Sequence, residues 1–195
     1  GGGGTAPVLA GRGRGGGVLA PLSGDLGGAM LGARAVGGDG RPDFVTTTSH
    51  TSQSDVYVYE NNGTLRYRIP CLAQGLIAIS LCKMGDLDGD GCDDFVVGCN
   101  DVSTRGMQLV VSGKKGTTIR QTFGLLPGDR QSAHLSNLGD FDGDGVDDYG
   151  AWSNSVALAV AYSGATGAVI RSWFDFGNSV VTGEDFDQDG VNDVV

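Results

Sequence analysis

Glutamate is almost missing from this sequence: Glu60 and Glu184 are the only two among 23 acidic residues. Histidine is equally scarce. His50 and His134 stand alone, and neither has a nucleophile or carboxylate at a spacing that Ser/His/Asp catalysis would use, so no enzymatic activity is expected. No apolar run approaches the roughly 20 residues of a membrane-spanning helix, and no membrane span is expected. Bases number 13 against those 23 acids, a formal net charge of −10. Such a chain is poorly suited to nucleic acid, whose phosphates reward basic surfaces; the two arginines of Gly11-Arg12-Gly13-Arg14-Gly15 do not change that balance. The Gly-X-Y period of collagen is also missing, although 36 of the 195 residues are glycine. Glycine at that level disfavours a helix-rich fold and suits turns. What remains is a soluble, turn-rich, mostly β chain, long enough to bury a sizeable core.

What the sequence has in place of scattered charge is concentrated aspartate. Three windows, DLDGDGCDD from residue 86, DFDGDGVDD from residue 140 and DFDQDGVND from residue 185, hold 14 of the 23 acids. Outside them 9 acids face all 13 bases, so the rest of the chain is mildly basic. A solvated acidic surface would spread its charge and use glutamate freely; clustering of this kind asks for a counter-cation.

The windows recur at spacings of 54 and 45 residues, and a weaker copy runs from Gly38 to Phe44, with Asp43 lying 51 residues before Asp94. The text between them recurs as well. After each acidic loop comes an apolar run (Phe44-Val45, Phe95-Val96-Val97, Tyr149), then a second β-type run (Val56 to Tyr59, Leu109 to Val111, Val156 to Tyr162). A turn follows, Glu60 to Gly63, Ser112 to Gly116 or Ser163 to Gly167, and then a run with an arginine near its start, Arg66, Arg120 or Arg171. With the strand that leads into each loop, Leu76 to Leu81 for example, a repeat holds about four short antiparallel strands. Four-stranded units of this length are the blades of a β-propeller, so the predicted fold is all-β with propeller-like blades.

The shared loop pattern is D-x-D-x-D-G-x-x-D. Carboxylates at positions 1, 3 and 5 of a tight loop converge on one point, and the glycine at position 6 permits the turn. The position 7 carbonyl and the position 9 carboxylate can complete an oxygen shell. A hard cation taking six to eight oxygens is Ca²⁺, whereas Mg²⁺ demands a smaller octahedron and keeps its waters. The predicted ligands are Asp86, Asp88, Asp90, Asp94 and the carbonyl of Cys92 in site one. Site two uses Asp140, Asp142, Asp144, Asp148 and Val146, and site three Asp185, Asp187, Asp189, Asp193 and Val191. Plain Asp/Gly turns on a solvated edge would explain one such copy; three copies at matching positions point to calcium. An EF-hand carries a glutamate at position 12, but Val97 and Ala151 stand there in sites one and two. Aligning Asp43 with Asp94 puts Ala35 and Gly37 where the first carboxylates should be, so that degenerate loop, with Asp39 and Asp43, is expected to hold no ion.

These motifs resemble the FG-GAP/VCBS repeats of integrin α-subunit-like β-propellers. The resemblance rests on Gly85 to Gly91 with Asp94 to Gly98, on Gly139 to Gly145 with Asp148-Tyr149, and on Tyr162 to Gly167. It covers roughly residues 35–195, about three and a half repeats, the last incomplete. It implies seven blades, calcium in the loop between the first two strands of a blade, and an extracellular role in adhesion or matrix.

Residues 1–34 read as a glycine-rich N-terminal arm, with two strand-length apolar islands, Ala6 to Ala10 and Val18 to Leu22. The last repeat reaches only Val194-Val195 after its acidic loop. Strand addition between arm and open edge would close a ring within one chain or build a head-to-tail filament between chains. The four cysteines, Cys71, Cys82, Cys92 and Cys99, fit two disulfides in the oxidising compartment that millimolar calcium implies, with Cys82–Cys99 the expected pair on neighbouring strands. Asn62-Gly63-Thr64 is a glycosylation sequon on a predicted turn. The expected function is a secreted calcium-binding structural or adhesive protein, a homo-oligomer or filament whose partners are glycans or extracellular matrix. The alternatives are a carbohydrate-binding propeller, or an accessory calcium-binding domain of a larger secreted enzyme.

Overall fold

The computed structural model describes residues 29–174, apart from positions 35, 37, 39, 51–52, 72–74, 102–104, 127, 129–131 and 154–156. Twelve strands form among these residues, in three antiparallel sheets of four. Blade one holds β1 (Met30–Arg34), β2 (Pro42–His50), β3 (Gln53–Tyr59) and β4 (Leu65–Pro70). Blade two holds β5 (Leu76–Lys83), β6 (Phe95–Asp101), β7 (Met107–Val111) and β8 (Thr118–Phe123). Blade three holds β9 (His134–Gly139), β10 (Asp148–Ser153), β11 (Leu158–Tyr162) and β12 (Val169–Phe174). In each sheet the strands pair in chain order, the meander expected of a propeller blade.

The hairpin between third and fourth strands recurs three times, the first shorter by one residue than the other two. Its backbone closes through Glu60 N to Thr64 O, Ser112 N to Thr117 O and Ser163 N to Ala168 O. Each turn contains a glycine at positive φ, Gly63, Gly116 or Gly167, a conformation that costs a side-chain-bearing residue. The register slips by one residue beside each turn, at Tyr59, Val111 and Tyr162.

Blade two is sandwiched, and its sequence shows it. Phe95, Val97, Cys99, Leu109 and Val111 pack on Val45, Val56, Val58 and Ile69 of blade one, while Val96 and Val110 pack on Tyr149, Leu158, Val160 and Tyr162 of blade three. Both faces of β7 are therefore buried throughout, which is why Leu109-Val110-Val111 reads as a continuous apolar run rather than an alternating one, with Gln108 buried beside it. The outer strands β4 and β8 bury only one residue each. The first strands gather on the opposite side, β5 packing against both β1 and β9.

Two expectations change here. Strand β1 lies inside the segment assigned to the N-terminal arm, so blade one begins by Met30, before the boundary drawn at residue 35. The rest of that arm, including both apolar islands, lies outside the described residues, as does everything after Phe174. The Cys82–Cys99 pairing does not form. Ala78 stands opposite Cys99 and Val96 opposite Cys82, and an irregularity between Ala78 and Ser80 turns the two cysteines to opposite faces of blade two. The four cysteines are free thiols, and all are buried. Cys99 instead lies with Cys71 in the core between blades one and two.

Candidate metal centres

The first acidic loop joins β5 to β6, and the second joins β9 to β10. Both fold by the same carboxylate-to-backbone bonds. In the first, Asp86 accepts from Asp90 N at 3.0 Å and Gly91 N at 2.8 Å, and Asp88 accepts from Asp90 N at 3.2 Å. In the second, Asp140 accepts from Gly145 N at 2.9 Å, and Asp142 from Asp144 N at 3.2 Å. Cys92 and Val146 each donate their N–H to the carboxylate two residues before, Asp90 and Asp144. These turns curl the loop around its own carboxylates, with Gly89, Gly91, Gly143 and Gly145 at positive φ where they face open space.

The curl brings ligand atoms together. Oxygens of Asp86, Asp88 and Asp90 lie within 4.8 Å of one another, and so do those of Asp140, Asp142 and Asp148. Asp94 does not join the first of these groups, nor Asp144 the second. The donor set is entirely carboxylate oxygen, on an exposed loop, which suits a hard divalent cation rather than zinc or copper. The residues present fit calcium. The third loop, with Asp185, Asp187, Asp189, Val191 and Asp193, lies outside the described residues.

The ninth residue behaves differently from the rest. Asp94 and Asp148 are fully buried. One oxygen of Asp94 accepts from Leu87 N at 2.7 Å and Asp88 N at 3.3 Å, and the other accepts from Gly113 N at 2.9 Å, in the hairpin turn of the same blade. Asp148 repeats this with Phe141 N, Asp142 N and Gly164 N. The degenerate copy keeps the same tie, since Asp43 accepts from Asn61 N at 3.1 Å. The aspartate at position 9 is thus a strut between loop and hairpin even where the other carboxylates are lost. Its counterpart is a glycine: a Cβ on Gly113 or Gly164 would run into the backbone carbonyl of Asp93 or Asp147. Burial pushes the Asp94 carboxyl up to about 6, against the pull of the N–H groups from Gly113 and Leu87. Asp148 is raised for the same reason.

Sequence reasoning missed two groups of cations around these loops. Lys115 Nζ sits 2.9 Å from Asp88 Oδ2 and 3.2 Å from Asp90 Oδ2, and Lys114 Nζ donates to Asp90 O at 2.8 Å. The Lys115 ammonium lowers the Asp88 pKa and is itself raised. The recurring arginines bind the next blade. Arg66 of blade one donates to Lys114 O in the blade two turn, and Arg120 of blade two donates to Gly164 O and Ala165 O in the blade three turn. The arginine recurrence was visible in the sequence, but its target 44 to 48 residues away was not.

The comparisons with known proteins agree with this architecture. Residues 36–97, from blade one through the first acidic loop into β6, match the FG-GAP-like repeat family. That segment therefore carries an FG-GAP-like repeat. Among solved structures, it is similar to the crystal structure of a protein of unknown function from Bacteroides caccae, with a TM-score of 0.52 at 11% identity. That similarity covers 86% of this chain and 53% of the other, so the chain spans about half that protein's length. At this identity the likeness speaks for the fold alone. No curated protein matches the chain.

Proposed function

We propose that this chain is a calcium-binding propeller-like repeat module with a structural or adhesive role outside the cell, and that it performs no catalysis. The observation that carries the reading is the pair of all-carboxylate clusters, Asp86–Asp88–Asp90 and Asp140–Asp142–Asp148, at equivalent loops of successive blades. Calcium there would neutralise carboxylates that otherwise repel one another and would fix the β5–β6 and β9–β10 connections. The calcium demand of such loops favours an extracellular setting. The outer edge strands carry exposed apolar side chains, Leu65 on β4, Phe123 on β8 and Phe174 on β12, and these favour assembly through the repeats into a filament or matrix.

The test is thermal unfolding with and without chelator, together with sedimentation. If a site binds at about 10 μM in about 1 mM calcium, it adds roughly 2.7 kcal/mol. Chelator should then lower the melting temperature by more than about 10 °C when two or three sites contribute. Sedimentation in calcium should show species larger than the monomer. A melt that chelator leaves unchanged refutes the calcium role, and a monomer at all calcium levels refutes the assembly.

A further inference from the structure

The two described loops share their fold but not their surroundings. Lys114 and Lys115 belong to the β7–β8 hairpin turn, which is pinned over the first loop by the Gly113 N–H on Asp94 and by Ser112 Oγ on Asp90 Oδ2 at 3.2 Å. So fastened, the turn carries the Lys115 ammonium to Asp88 and Asp90, two of the three carboxylates of that cluster. In blade three the corresponding turn is pinned over the second loop by the same glycine bond, but Ala165 and Thr166 stand where the lysines were. Neither can form an ion pair.

We propose that Lys115 is a tethered counter-cation that competes with calcium for the first loop, so that the two loops fill in order, the second before the first. The inference rests on the calcium reading of these loops. An ammonium held on Oδ2 of both Asp88 and Asp90 repels a divalent ion at the same carboxylates. Calcium must break both ion pairs and drive Lys115 away against its own repulsion. The Lys115 side chain is 53% exposed, so it can swing into water. It therefore weakens the site without blocking it. Two partly exposed ion pairs and one like-charge contact amount to about a tenfold loss of affinity. The consequence is a module whose second loop is filled at calcium levels that leave the first loop closed on its own lysine.

The experiment is calcium titration calorimetry on the full chain with single loops isolated by substitution. Asp142→Ala with Asp187→Ala leaves the first loop, and Asp88→Ala with Asp187→Ala leaves the second. The first loop should bind about tenfold more weakly than the second. Lys115→Thr, which installs the residue found in blade three, should tighten the first loop by about that factor and leave the second unchanged, whereas Lys115→Arg should leave the first loop weak. Equal affinities of the two isolated loops, or no change with Lys115→Thr while calcium binds, overturn this inference alone. Absence of calcium uptake at both loops overturns the calcium reading and this inference with it.

Discussion

Replacing Asp148 by alanine should damage the protein even in chelator, and replacing Asp142 should not. Asp148 is fully buried and accepts three backbone N–H groups, of which the bond from Gly164 is buried and those from Phe141 and Asp142 are partly so. Losing the partner of a buried donor costs about 1–3 kcal/mol, and each half-buried N–H that turns to water costs less, about 0.5 kcal/mol. Relief of the desolvated charge, which raises the Asp148 carboxyl above its ordinary value, returns part of that. The net loss is about 2–3 kcal/mol, or roughly 5–10 °C in melting temperature for a chain of this size. Asp142, by contrast, accepts one exposed N–H at 3.2 Å, so Asp142→Ala in chelator should shift the melt by no more than about 2 °C. In calcium both variants lose more, because Asp142 and Asp148 both belong to the second cluster and each substitution then forfeits up to the roughly 2.7 kcal/mol that a 10 μM site supplies at 1 mM. The assay is four melts: two variants, each with chelator and with calcium. If Asp148→Ala melts with the parent in chelator, or if Asp142→Ala loses as much there, the metal-independent tie assigned to Asp148 is wrong.

Two further outcomes follow from the same core. Cys71 and Cys99 meet between blades one and two, so oxidised glutathione should join them as a disulfide, the two thiols giving up two electrons and two protons. Closing a loop of roughly 30 residues should add about 3–4 kcal/mol, and peptide mapping after alkylation should find Cys71–Cys99; a Cys82–Cys99 peptide in its place would contradict the face assignment. In chelator, stability should fall as pH rises from about 4 to about 6. The folded Asp94 carboxyl, pushed up to about 6, holds its proton through a window in which the unfolded chain releases it. The fall should be about 3 kcal/mol from this residue, and denaturant titrations at pH 4 and 7 that agree within 1 kcal/mol would speak against it.

Much of this architecture is readable from the sequence because each blade obeys local rules. The hairpin turns carry glycine where φ must be positive, and the doubly buried β7 announces itself by Leu109-Val110-Val111. The acidic loops are equally local, since the carboxylate-to-backbone bonds within each loop span two to seven residues. What stayed hidden depends on register and on contacts between distant segments. A single irregularity between Ala78 and Ser80 decides which face Cys82 takes, and no propensity marks it. Strand β1 looks like more of the glycine-rich arm until its pairing with β2 is seen. Lys115 looks like an ordinary turn residue until the hairpin is laid over the acidic loop, and only the fold shows that Asp94, expected as a ligand at position 9, also ties that loop to the hairpin turn.

That strut explains how a site on one blade can be felt by the next. Asp94 ties the first acidic loop to Gly113 in the blade two turn, and the same turn receives Tyr67 Oη and Arg66 from blade one. Asp148 ties the second loop to Gly164, whose carbonyl receives Arg120 from blade two. Each loop is therefore one bond from its own hairpin and two bonds from the preceding blade. An ion that ordered the loop would, through that chain of bonds, also order the acceptor carbonyls that the neighbouring arginine reads. The degenerate copy is consistent with this order of importance. It has lost the first two carboxylates of the loop, with Ala35 and Gly37 in their places in the sequence, and it has kept Asp43 and the bond from Asn61 N that ties the turn to the loop.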